Sequence, residues 1–145
     1  MRVLGLDPGE RRIGVAVSDA TGTIASPHSV IDQRHADVPE SLRRLIDEYE
    51  VELIVVGLPV QLSGEEGPSA KAARAFAETV GDATGLPVAL QDERFTTVTA
   101  EEALLEGGVR RRQRREVRDK VAAAVMLQGY LDSRRNDNDD RNANS

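Results

Sequence analysis

Residues 1–19 read MRVLGLDPGERRIGVAVSD. Val3, Leu4 and Leu6 form an apolar run that stops at Asp7-Pro8-Gly9. After the basic pair Arg11-Arg12, the apolar residues Ile13, Val15 and Val17 alternate with small ones. An apolar run without polar alternation reads as a strand buried on both faces, so residues 2–7 are predicted to be a central strand. The alternating set is a second strand, hairpinned to the first. Asp7 then stands at the carboxyl end of a central strand, the rim beyond which open α/β sheets bind their ligands. That position for a carboxylate sets the rest of the reading.

Asp19-Ala20-Thr21-Gly22 signals a turn, and 23–31 reads as a third strand. Pro27 places that strand at an edge. Asp37 and Glu40 have capping-box spacing, and Val38, Leu42, Leu45, Ile46 and Tyr49 follow at helical period. Residues 52–57 (ELIVVG) read as a buried strand and 58–68 as a loop. A helix is predicted over 69–83, ended by Gly85 and Pro87, then a short strand over 87–91. Thr99 and Glu102 repeat the capping-box spacing and open a helix that stops at Gly107-Gly108. A last helix is predicted from Glu116 to Asp132. This is an α/β fold: a meander, then alternating helices and strands. Right-handed crossovers give a five-stranded mixed sheet of order 3-2-1-4-5, with strand 2 antiparallel and helices on both faces. Residues 1–132 form one domain. Residues 133–145 are nearly all Asn, Asp, Arg and Ser, bury too little to offset chain entropy, and read as a disordered tail.

A chain of 145 residues fits one core. Only 3% of it is aromatic, so that core must be aliphatic. The absence of cysteine excludes disulfides, thiolate zinc sites and a cysteine nucleophile. No apolar run approaches a membrane span of roughly 18 residues and no signal peptide is visible, so a soluble cytoplasmic protein is expected, with no membrane partner. The net charge of −6 argues against a polyanionic ligand, but Arg110, Arg111, Arg112, Arg114, Arg115 and Arg118 are clustered. Local field outweighs net charge for such a ligand. This run is expected to contact a nucleic-acid backbone and to be mobile without it.

Glu93 follows the last strand and should emerge at the same rim as Asp7. Asp119 precedes Ala122 and Ala123 by three and four residues, so they share a helix face, and the small side chains let that helix lie close to the sheet. Three carboxylates from distant sequence would then meet. Such a cluster repels itself and calls for a cation, and all-oxygen ligands suit Mg²⁺ or Mn²⁺. Two such ions can cleave a phosphodiester. Each acid also has a plainer role: Asp7 forms a turn, Asp119 complements a helix dipole, and Glu93 is a solvated loop charge.

Gly9 and Gly14 permit close backbone approach, either to cradle a phosphate or to close a tight hairpin. Ser69 lies near the start of a helix, where phosphate binds readily. Arg94 could hold a phosphate bidentately or pair with a neighbouring acid. Thr96 and Thr97 could cap a helix or touch a substrate backbone. His28 and His35 are isolated and read as structural or surface residues.

Taken together, LGLDPGERRIGVAVSD, IVVGLPVQLSGEEGPSA, DERFTT and DKVAAAVMLQGYL, in that order over about residues 2–132, resemble the YqgF-type pre-16S rRNA nucleases, also called Holliday-junction-resolvase-like proteins. The resemblance implies a ribonuclease H-like fold and a metal-dependent nuclease with Asp7, Glu93 and Asp119 as its carboxylates. It also implies maturation of the 5′ end of 16S rRNA. The loop after Pro59 departs from the pattern, with Gln61-Leu62-Ser63-Gly64 where relatives often carry Asn-Met-Asp-Gly. Three alternatives stand beside this reading. A Holliday junction resolvase acting on branched DNA would need a dimer. An actin-like phosphotransferase would need a second lobe. A non-catalytic RNA-binding module would rely on backbone contacts, because aromatics are few. The expected partner is nucleic acid, precursor rRNA or branched DNA, and the expected state is a monomer or weak homodimer.

Overall fold

The computed structural model describes residues 1–61, 63–93 and 111–143, the side chains of 111, 112 and 136–143 excepted. Its elements are β1 (Arg2–Pro8), β2 (Arg12–Ser18), β3 (Ala25–Asp32), α1 (Val38–Tyr49), β4 (Val51–Leu58), α2 (Pro68–Thr84), β5 (Val88–Asp92) and α3 (Arg111–Ala143). The sheet order is β3-β2-β1-β4-β5. β2 runs antiparallel to β1 and β3, while β4 is parallel to β1 and β5 is parallel to β4. This is the predicted mixed sheet, and the fold is ribonuclease H-like.

Val3, Leu4 and Leu6 are fully buried, as a strand covered on both faces must be. Alternation divides the sheet's side chains between two cores. Leu4, Leu6, Ile13, Val15, Val17 and Ile31 pack on one face with Leu42 and Leu45 of α1 and Ala77 and Val80 of α2. Val3, Ala16 and Val55 pack on the other face with Ala123, Ala124, Met126, Leu127 and Leu131 of α3. Burying any one of these aliphatic side chains contributes roughly 1.5–3 kcal/mol, so the α3 face is held mainly by Met126, Leu127 and Leu131. Gln128 fixes α3 lengthwise: its Oε1 accepts from the Ala25 N–H and its Nε2 donates to the Thr23 carbonyl, both at 2.9 Å.

Pro27 lies on the edge strand, opposite Ala16. The register slips there, with Ser29 opposite Val15, which leaves His28 as the extra residue of a bulge. The capping box is half made. Asp37 accepts from the Glu40 N–H, while the Glu40 carboxylate turns to Arg44. α1 ends on Glu50 and α2 on Gly85, each in the left-handed region.

α3 is longer at both ends than the sequence predicts. The helix starts at Arg111, not Glu116, so the arginine run from 111 on is helical. The run contains no Gly or Pro, and Arg, Gln, Glu and Lys are good helix formers, so a docked helix propagates through it. At the other end the backbone stays helical to Ala143, where the sequence suggests disorder from 133. Propagation again explains it, helped by the Arg135–Asp132 ion pair at 2.6 Å. The predicted helix over 99–107 lies outside the described residues. Among those described, no helix is long and apolar enough to cross a membrane.

Candidate active site

Asp7 is the last residue but one of β1, paired with Gly14 on β2. On its other side, Leu6 pairs with Val56 of β4, so Gly57 is the next residue along that strand. Each flanking glycine admits one of the other acids. A Cβ on Gly14 would stand 2.1 Å from the backbone oxygen of Asp119, so α3 can lie on β2 only because that position has no side chain. A Cβ on Gly57 would stand 2.5 Å from Oε1 of Glu93. Glu93 is anchored there by its N–H, which donates to the Leu58 carbonyl at 3.1 Å. All three predicted acids therefore come to one rim.

They are not equivalent. Asp7 and Glu93 are mostly buried and share a side-chain hydrogen bond. Burial, more than anything else, raises the Asp7 pKa, and the Asp119 charge adds to the rise. Burial and the neighbouring Asp7 push Glu93 up to about 9. In their hydrogen bond the Glu93 acid donates to the Asp7 carboxylate, so the bond lowers the Asp7 pKa and raises that of Glu93. Asp119 is also raised by burial, but Arg12 opposes this through an ion pair at 3.0 Å.

A folded-state pKa above the unfolded value means that the native state holds a proton the unfolded chain has released. Stability from Glu93 is thus complete below its ordinary value of 4.5 and is lost as pH rises toward about 9. The metal-free protein is expected to lose stability over this window, by at most about 1.4 kcal/mol per pH unit. Glu93→Gln should flatten the profile. Denaturant midpoints measured from pH 5 to 9 test this, and identical profiles for both proteins refute it.

The donor chemistry fits a hard divalent cation: three carboxylates, two of them largely buried and hydrogen-bonded to each other through a proton on Glu93. A cation would take that proton's place. As placed, no three acid or imidazole side chains among the described residues converge as a ligand set. The nucleus is the Asp7–Glu93 pair, with Asp119 held by Arg12.

A cavity of about 470 Å³ adjoins the pair, lined by Glu93, Gly9, Ser69, Pro59 and Phe76 among others. Gly9 and Ser69 therefore come to the site. The Gly9 N–H, however, donates to the Arg12 carbonyl at 2.9 Å, closing the hairpin, so it is not free to cradle a phosphate. Ser69 sits just inside α2, whose cap residue Gly67 has no side chain to cover the helix N–H groups. Arg94, Thr96, Thr97 and Arg110 lie outside the described residues, as do the side chains of Arg111 and Arg112. Sequence reading missed Arg12 and Gly57. The signal for Arg12 was available: in the hairpin it stands two residues from Gly14, on the same face.

Residues 1–133 match the RuvX family model, described as Holliday junction resolvase. A protein of Moorella thermoacetica named "Putative pre-16S rRNA nuclease" is 49% identical over 134 residues, covering 91% of this chain and 95% of its own. One of the same name from Halothermothrix orenii is 46% identical over 132 residues, covering 90% and 94%. Among solved structures, T. thermophilus RuvC in complex with a Holliday junction substrate superposes with a TM-score of 0.56 at 16% identity, covering 94% of this chain and 96% of that one. At that identity the likeness speaks for the fold alone.

Proposed function

The chain belongs to the RuvX family, and from that premise we propose that it is a divalent-metal-dependent nuclease whose reaction centre is Asp7, Glu93 and Asp119. The observation that carries this is the hydrogen-bonded, largely buried Asp7–Glu93 pair, set at the strand ends with Asp119 beside it. Asp7 and Glu93 would hold Mg²⁺ or Mn²⁺ and Asp119 would join them on leaving Arg12. Two bound ions would activate the attacking water and stabilise the leaving oxygen of a phosphodiester. The chain's own residues do the rest. Partial burial limits the water around the pair, Arg12 holds Asp119 until it is needed, and the cavity beside Glu93 receives the substrate strand. Gly9 shapes that cavity and Ser69 presents the α2 N-terminus to a phosphate. Arg94, Thr96, Thr97 and Arg110, Arg111 and Arg112 are proposed as further backbone contacts.

The names of the relatives favour precursor 16S rRNA as the substrate; trimming at its 5′ end, in the cytoplasm, is the form of that activity we propose. The family's description favours a second reading, cleavage of Holliday junctions, which would need a dimer to cut both strands. The purified chain should be assayed with Mg²⁺ and with Mn²⁺ on precursor 16S rRNA, unstructured RNA and four-way DNA junctions. Cutting of the precursor that EDTA stops is the expected result. Cutting of the junction alone selects the second reading, and no cutting of any substrate with either metal overturns the nuclease assignment.

A further inference from the structure

An open groove of about 740 Å³ runs along the face of β2 and β3 that lies against α3. Arg12 and Arg34 line it from the sheet side, and Arg115 and Lys120 from α3. Two carboxylates, Asp32 and Glu116, share the lining with these four cations, and Arg12 also pairs with Asp119 outside it, in a chain whose net charge is −6. Asp32 is engaged by Arg34 at 3.5 Å. Among the described residues, Arg115 and Lys120 have no ion-pair partner. The groove is continuous with the acid site: Arg12, at its inner end, pairs with Asp119 at 3.0 Å. Arg115 stands one helical turn before Asp119, so it lies on the same stripe of α3.

We propose that this groove carries the phosphodiester backbone of the substrate strand away from the reaction centre, over β2 to the β3 edge, with Arg115 and Lys120 as phosphate contacts. The inference rests on the nuclease reading and adds to it a direction and a contact set. A polyanion is the occupant because the lining is cationic and open rather than apolar and enclosed. Aromatic surfaces for base stacking are scarce, so the backbone rather than the bases would be held. Arg12 joins the two regions. It neutralises Asp119 in the resting site and, once Asp119 turns to a cation, is free to meet the phosphate next to the scissile one.

The test is equilibrium binding of a labelled single-stranded RNA, in EDTA to prevent cutting, as a function of salt. Three proteins are compared: the unsubstituted chain, Arg115→Ala/Lys120→Ala, and Arg43→Ala/Arg44→Ala. The last pair is exposed on α1, across the sheet, and removes the same charge. Alanine keeps helix propensity at all four positions, so melting temperatures should agree. The groove variant is expected to bind roughly tenfold more weakly, with a log–log salt slope shallower by about 1.4, at roughly 0.7 per phosphate contact on a single strand. The α1 variant should stay within about twofold of the unsubstituted chain. If both variants bind alike, the groove assignment is overturned and the nuclease reading stands. If the unsubstituted chain does not bind this RNA at all, the groove assignment is likewise overturned, and the nuclease reading is decided by the cutting assay.

Discussion

Asp7→Asn is expected to cut nuclease activity by a thousandfold or more, about 4 kcal/mol at the transition state, while the fold survives. Asparagine keeps the shape at the end of β1, so the pairing with Gly14 and the α3 packing are undisturbed. It removes the charge that a divalent cation needs, and it leaves Glu93 without the neighbour that helps raise its pKa. The second consequence can be read without turnover. On Mn²⁺ binding near pH 7, the unsubstituted protein should release about one proton, the one held between Asp7 and Glu93. In Asp7→Asn the cation should bind more weakly. Glu93→Gln should likewise remove the proton and the activity, and Asp119→Asn should remove the activity while leaving the proton. A folded Asp7→Asn protein with full activity would sink the assignment, and unchanged proton release would sink the shared-proton pair.

The acids and the sheet order were legible in the sequence because each rests on a local signal with one strong physical reading. A polar-free run ending in Asp7 is a buried strand with an acid at its rim. Crossover handedness then leaves one place for β4 and one for β5. The arginine run is not legible as helix, because it carries like charges and no apolar period. Guanidinium repulsion at a solvated surface is screened over about 10 Å, whereas propensity and propagation from a docked core act on every residue. The tail continues the same helix, with Arg134 and Arg135 exposed, so its polarity describes what it buries and not which backbone it adopts.

Close approach of α3 to the sheet was expected from Ala122 and Ala123, but the larger share of it comes from the sheet side. Gly5, Gly14 and Gly57 sit on three adjacent strands, and a Cβ on each would crowd Leu127, Asp119 or Glu93. No local pattern announces this, because the three glycines are neighbours only once the strand register is known.

Gly14→Val should therefore damage the fold and the site together. The atoms a Cβ would meet at Gly14 are the backbone oxygen and carbon of Asp119, at 2.1 and 2.7 Å, so no flexible side chain can give way. The helix must lift from β2 near the Asp119 turn, and it cannot do so freely, because Ala123 and Leu127 are buried on the same face and Gln128 is bonded to the Ala25 N–H and Thr23 carbonyl. Overpacking of this kind costs about 1–3 kcal/mol, a fall in melting temperature of roughly 3–10 °C for a chain of this size. Gly14→Ala should show the same effect at the lower end. Gly81→Ala is the control. Gly81 lies inside α2, and its nearest contact would be Val88 at an ordinary 3.5 Å, so alanine there should be neutral or stabilising by about 0.5–1 kcal/mol. Activity separates a general loss of stability from a displaced site. Well below its melting temperature, Gly14→Val is expected to cleave at least tenfold more slowly, since Asp119 is carried away from Asp7 and Arg12 with the helix. A Gly14→Val protein that melts and cleaves like the unsubstituted chain would mean that α3 does not lie on β2 at this distance, and that Asp119 owes its place beside Asp7 to something other than the missing side chain.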